Sequence, residues 1–472
     1  MTAPSAVRPA GAPIGPPGAG RRAWLDPAKL LPVAWPGYFE LIAGVVAGII
    51  SVFWVARLGI AELGAVTVAT SLENLLLGVI LGVGVGTTVT LARSVGAEEY
   101  HRLGAALRAS LWVTLTVATG TCAILFVLRE PLARLMLGSG SGRTMRLAVD
   151  YLTVSVPGVS VFFGQQVLDG VFKASGNTRT PMRMAVLSNA LLLVLDPVLI
   201  FGWLGAPRLG VTGSAIALVA ARSVALGVTW LLYLRSPLRA KARAGALAAP
   251  PAPAEAPERP ALEILRAGWP VSADFLARMG AATLVVGIIA RFGPDPLAAY
   301  GAVTKAMLFL TMASYALRQA ATIVAAQATG SKDEQLLKDT RTSSLRLGLA
   351  WSVISGLLVL LGAGQVARLL THNASVGTAA DALIPWMALY AALLLCNVAL
   401  SGIFFGGGKG RLLAYATLAG VVAQSLLAPL LSSTALGLTG VWVAMVANVG
   451  TQVGVLVLLS ARGPSAAPGE TT

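Results

Sequence analysis

The sequence predicts an all-α polytopic membrane protein: twelve transmembrane helices in two six-helix lobes related by a pseudo-twofold axis along the membrane normal. Three observations lead there. Only 12% of the 472 residues are charged and 56% are hydrophobic, whereas soluble domains carry about a quarter charged residues. Twelve apolar stretches are each long enough to cross about 30 Å of hydrocarbon. The second half of the chain also repeats the first in one register.

Along the chain, residues 1–32 are rich in Pro, Gly and Ala and lack the apolar core of a cleavable signal peptide, so a disordered cytoplasmic tail is expected. The N-lobe, 33–235, holds spans at 34–57, 65–92, 108–128, 147–172, 182–204 and 211–234. The stretch RSPLRAKARAGALAAPPAPAEAPERP dominates 236–263, and its Pro, Ala and charge content reads as a flexible cytoplasmic linker. The C-lobe, 264–462, holds spans at 267–290, 298–327, 345–367, 379–404, 412–433 and 438–460, and 463–472 is expected to be a second disordered tail.

The net charge of +15 comes from Lys and Arg in the tails, the linker and alternate short loops. No basic run is interleaved with aromatics, so a nucleic-acid partner is excluded. The positive-inside rule instead puts both termini and the linker in the cytoplasm, with the chain multi-pass in the plasma membrane. Cys122 and Cys396 lie singly in apolar stretches, which leaves no disulfide framework and no metal-ligand cluster. Without a phosphate-cradling Gly loop ending in Lys-Ser or Lys-Thr, ATP drive is not expected. Charges dispersed through the membrane, rather than gathered at one face, argue against an enzyme.

The repeat carries the architecture. Trp35-Pro36 returns as Trp269-Pro270, Arg57 and Gly59 return as Arg291 and Gly293, and Gly96 returns as Gly330, all 234 positions apart. LGVTG at 209–213 returns as LGLTG at 436–440, and LDPVL at 195–199 as LAPLL at 427–431. Because each unit has an even number of spans, both halves enter the membrane from the same side. Parallel repeats of this kind belong to transporters, with sites near the midplane between or within the halves.

Asp196 is the leading site candidate. An aspartate at the centre of a spanning helix costs about 2.5–3.5 kcal/mol, and such residues mark ion or proton pathways. Pro197 beside it leaves the carbonyl of Leu193 without a helical donor, and Pro36 does the same in the first span, so both are expected helix bends. The second half keeps Pro429 but has Ala428 at the acid position, which favours a functional over a structural role for Asp196. Such a site can exchange a proton or hold Na+.

Glu40, four residues after Pro36, and Asp274, four after Pro270, are repeat-related acids expected to flank a central cavity. Arg278 stands one turn from Asp274 and can pair with it. Glu73 and Lys305 are a candidate pair across the lobes, and Arg318 replaces the small residue expected from Gly84. A charge there makes an anionic or zwitterionic cargo attractive. Gln166, with Gln165, Tyr300, Tyr315 and Phe275, supplies further candidate cavity lining.

The block DGVFKASGNTRTPMRMAVLSNALLLVLDPVLIFGWLGAPRLGVTGSAIA, 169–217, resembles the multidrug and toxic compound extrusion family, including its DNA-damage-inducible branch. WPGYFELIAGVVAGIISVFWVARLGIAELGA and VTLARSVGAEE are similar as well, and the likeness spans nearly all of 33–461. The resemblance implies an efflux antiporter without cofactor, expected as a monomer. It would move amphipathic small organic compounds out across the lipid bilayer in exchange for H+ or Na+, by alternating access. Flipping of lipid-linked oligosaccharide, as in the wider superfamily, or export of one secondary metabolite are the alternatives. The family's helix 1 acid is matched here by Ser51, its loop Asp by Asn177, and an Asn expected one turn before Asp196 by Leu192. Ser51 then joins the expected coupling site as a hydroxyl ligand, and Asn189, on the same face as Asp196, as a substitute amide.

Overall fold

The computed structural model describes residues 27–137, 142–248, 259–371 and 374–461. The N-lobe contains α1 (Pro27–Ala56), α2 (Ile60–Gly96), α3 (Tyr100–Leu137), α4 (Gly142–Ala174), α5 (Arg179–Phe201) and α6 (Gly210–Leu234). A shorter helix, α7 (Pro237–Ala248), follows. The C-lobe contains α8 (Pro260–Ile289), α9 (Pro294–Gly330), α10 (Glu334–Thr371), α11 (Ala374–Gly406), α12 (Gly410–Ser432) and α13 (Leu438–Ala461). Among the described residues, twelve of these helices are long and apolar enough to cross a membrane.

Several helices outrun the apolar stretches that predict them. The span expected at 65–92 is a helix of 37 residues, because its backbone stays helical through Ser94 and Val95 after the apolar run has ended. Glycine marks the repeat where the backbone requires it: Gly59 and Gly293, immediately before α2 and α9, have φ of 143° and 111°, a region L side chains rarely adopt. Asn177 holds the start of α5, accepting the Thr180 N–H at 3.2 Å through Oδ1 and donating to Thr180 Oγ1 at 3.0 Å.

The expected linker, 236–263, is more ordered than its composition suggests. Its first part forms α7, and 260–263 open α8; residues 249–258 lie outside the described set. Pro237 supplies a preset φ at the first helical position. Ala242 is buried among Leu103, Ala106 and Leu107 of α3, and Lys241 donates to the Tyr100 hydroxyl at 3.3 Å. Of the expected tails, 1–26 and 463–472 also fall outside the described residues, whereas Leu30 belongs to α1 and is buried.

Each lobe has its own core. Val66, Leu72, Leu152, Phe163, Ile200 and Val211 centre the N-lobe; Val285, Val303, Leu383, Met387, Val441 and Met445 centre the C-lobe. Lipid tails are as apolar as these side chains, so close packing rather than escape from water holds such helices together. Small residues permit that packing at the seam between lobes. A Cβ at Gly268 would stand 2.3 Å from the Gly82 carbonyl oxygen, and one at Gly86 2.3 Å from that of Ile264.

The seam closes one end of the molecule with twofold regularity. A Cβ at Gly96 would lie 2.1 Å from the Gln327 carbonyl oxygen, and one at the repeat-equivalent Gly330 would lie 2.0 Å from that of Arg93. The same two residues reach across. Arg93 Nη2 donates to the Gly406 carbonyl at the end of α11 at 3.2 Å, and Gln327 Nε2 donates to the Ala174 carbonyl at the end of α4 at 2.8 Å. Leu30, Val33 and Ala34 of α1 add an apolar contact with Ala320, Ile323 and Val324 of α9. All these contacts lie where α2 ends and α8 begins. Farther along α8, a Cβ at Gly280 or Gly287 would meet nothing within 4 Å.

Candidate functional site

Three buried polar groups occupy the helix interiors. In the first, Asp196 of α5 is 0% exposed and neither carboxylate oxygen makes a hydrogen bond of normal length and angle among the described residues. Its polar neighbours are Ser51 of α1 and Ser214 of α6, whose hydroxyls hydrogen-bond to each other at 3.1 Å. The Asn189 Nδ2, two turns back on α5, is buried without an acceptor. Glu73 and Tyr151 extend this group. Glu73 Oε1 lacks a partner, and Ser155 and Arg222 are the polar neighbours of Glu73. Asp196 and Glu73 both act electrostatically on Tyr151.

The second group lies toward the seam. Lys173 Nζ donates to Glu40 Oε1 at 2.8 Å, with side-chain exposures of 9% and 13%. Asp169 accepts from Gln165 Nε2 at 2.8 Å, and Gln165 also meets Thr229 Oγ1 at 3.1 Å. Glu40 is thus held by Lys173, while Ser51, eleven residues later on α1, is held by Ser214. With two acids sharing one cation, Lys173→Met is expected to lower stability by about 3–5 kcal/mol, because it strands a buried carboxylate pair. Thermal unfolding in detergent checks this, and an unchanged midpoint would refute it.

The third group is in the C-lobe. Asp274 accepts from Arg278 Nε at 3.0 Å and Thr417 Oγ1 at 2.7 Å, and Arg318 Nη1 stands 3.6 Å from its other oxygen. Arg278 Nη2 donates to Gln452 Oε1 at 3.0 Å, which also accepts from Asn397 Nδ2 at 2.8 Å. Gln452 Nε2 continues the chain to Asn448 Oδ1 at 2.7 Å, and Asn448 donates to Gln424. Arg318 rests on the rings of Tyr315 and Phe405, 4.5 and 5.7 Å from their centroids.

One expected pairing fails. Glu73 and Lys305 do not meet: Lys305 is exposed, and Glu73 has its neighbours within the N-lobe. Both sit on the halves of α2 and α9 that lie away from the seam, so the equivalence of these two helices does not bring the pair into contact. Gln166 is half-buried against α2, its Cβ 3.4 Å from where a Cβ at Gly84 would stand. Pro36 and Pro197 both lie inside continuous helices. Sequence reasoning missed Ser214, Tyr151, Lys173, Thr417, Asn397 and Gln452. Lys173 was the most legible of them, a cation four residues after Asp169.

The chain matches the MatE family over residues 36–198 and 270–430, one segment in each lobe. It is similar to a probable multidrug resistance protein NorM of Thermotoga maritima, 22% identical over 427 residues and 89% of each chain. It is also similar to DNA damage-inducible protein F of Escherichia coli, 26% identical over 74% of this chain and 73% of that one. In fold it resembles a MOP superfamily transporter from Pyrococcus furiosus, with TM-score 0.80 and 22% identity, covering 93% of this chain and 97% of the other. With a family match covering most of both lobes and the same twelve-helix fold, the chain belongs to the MatE family of membrane transporters and is not an enzyme.

Proposed function

We propose that this chain is a secondary active exporter that moves amphipathic organic compounds outward in exchange for H+, by alternating access between the lobes 33–235 and 264–462. The observation that carries the reading is Asp196, fully buried with no ion-pair partner among the described residues. A carboxylate in that setting is costly unless it gains a proton or a cation. Ser51 and Ser214 add two hydroxyl oxygens next to it, so the site fits a proton and offers part of a shell for Na+. Its repeat counterpart Ala428 carries no charge, which confines the ion step to the N-lobe. The multidrug names of relatives such as the Thermotoga protein support an amphipathic organic cargo. The loop distribution of Lys and Arg supports a plasma-membrane protein with both termini cytoplasmic, and the closed seam then faces the cytoplasm. A monomer suffices, because both lobes lie in one chain.

The test is uptake of fluorescent amphipaths into inside-out proteoliposomes under a pH gradient or a Na+ gradient, each alone. Uptake driven by the pH gradient supports the reading, uptake driven only by Na+ replaces the coupling ion, and no uptake under either gradient overturns it.

A further inference from the structure

The two lobes descend from one repeat but have acquired opposite charge. Around Glu40 the N-lobe sets two carboxylates, Glu40 and Asp169, against one cation, Lys173. Around Asp274 the C-lobe sets two guanidiniums, Arg278 and Arg318, against one carboxylate. The repeat equivalents of these arginines, 234 positions earlier, are Gly44 and Gly84, so the cationic pair belongs to the C-lobe alone.

Arg278 Nε and Thr417 Oγ1 both donate to Asp274 Oδ1, while Oδ2 has Arg318 Nη1 at 3.6 Å. Beyond that 3.6 Å contact the Arg318 side chain has no hydrogen bond among the described residues, although it is only 14% exposed. The groups acting on it are Tyr315, Asp274 and the like-charged Arg278. A guanidinium carries five donors in a planar fork that matches carboxylate, sulfonate and phosphate oxygens, and one carboxylate oxygen at 3.6 Å leaves most of that fork unmatched. Its place is also telling. Phe405, one of the two rings beneath Arg318, belongs to an apolar cluster against which Leu81 and Val85 of α2 pack, which puts the guanidinium near the lobe seam.

We infer that Arg318, supported by Arg278, is an anion-binding subsite, and that the cargo of this chain is an amphipathic organic anion. The acidic group lies on the guanidinium fork, and the apolar body lies along Tyr315 and Phe405. This deepens the proposed export function and rests on it for the word cargo, whereas the binding site stands without it.

The experiment is equilibrium binding of dansyl-glycine, a fluorescent carboxylate, and of its uncharged methyl ester to the purified full chain in neutral detergent. The carboxylate is expected to bind about tenfold more tightly than the ester, the scale of one charge-assisted hydrogen-bonded pair. Arg318→Gln is expected to remove that preference, and Arg318→Lys to keep part of it. Equal affinity of acid and ester in the unaltered chain, or a preference that survives Arg318→Gln, would overturn the proposal. If Arg318→Gln does not fold, the acid-to-ester ratio of the unaltered chain decides. Displacement of dansyl-glycine by short-chain phosphatidylglycerol but not phosphatidylcholine would identify the anion as a lipid headgroup, and displacement by neither as a free organic acid. A retained binding preference without transport in proteoliposomes would refute export and leave the site intact.

Discussion

Asp196→Asn is expected to reduce gradient-driven uptake to the level of protein-free liposomes while leaving the protein at least as stable as before. The two parts follow from the same observation. The carboxylate has only the Ser51 and Ser214 hydroxyls beside it, and an amide oxygen can accept from the same hydroxyls, so the substitution leaves no donor stranded. It removes a charge whose presence in a spanning helix costs about 2.5–3.5 kcal/mol. The amide keeps the shape and the neighbours Ser51 and Ser214, but it neither binds nor releases a proton. A purely structural aspartate predicts the reverse pattern, a lower unfolding midpoint with uptake impaired only in proportion to the folded fraction. Measuring uptake and thermal unfolding on one preparation separates the two, and uptake that persists in a stable variant would remove Asp196 from the coupling step.

How far the site could be read from sequence depends on what each residue's neighbours are. Asp196 was legible because its own helix is apolar on both sides, so the cost of the charge is visible in one dimension. Arg278 was legible beside Asp274 because a spacing of four residues on a helix fixes a contact. Ser214, Asn397 and Gln452 carry no such signal. Each is one polar residue in an apolar run, and it gains a partner only when helices distant in sequence pack together, 163 residues apart for Ser51 with Ser214 and 174 for Arg278 with Gln452. The Glu73–Lys305 expectation shows the limit of the repeat: internal symmetry fixes equivalent places within lobes and says nothing of the distance between lobes. Composition likewise hid α7, because an Ala-rich segment looks flexible until Ala242 finds an apolar surface on α3.

Gly330→Val tests the seam itself and should shift the balance between the two ends of the molecule. Where the native chain has hydrogen, any Cβ would stand 2.0 Å from the Arg93 carbonyl oxygen, and the obstacle is backbone, which cannot rotate away. The helices must separate by more than an ångström at that point. Separation also lengthens the Arg93 bond to Gly406 and the Gln327 bond to Ala174, which are the polar links across this end. Overpacking of this kind costs about 1–3 kcal/mol, which corresponds to roughly a 5- to 150-fold change in a two-state population. The readout is maleimide labelling of Ala34→Cys, a buried seam position packed against α9, in a chain whose Cys122 and Cys396 are replaced by Ala. Labelling should rise by at least about fivefold in Gly330→Val, and Gly96→Val should act in the same way because its contact is the twofold counterpart, 2.1 Å from Gln327. Gly280→Val, where a Cβ meets nothing within 4 Å, is the control and should leave the rate unchanged. Equal rates in all three variants would mean that the seam does not gate this end, and the closure would then have to be carried by α1 and α9 alone.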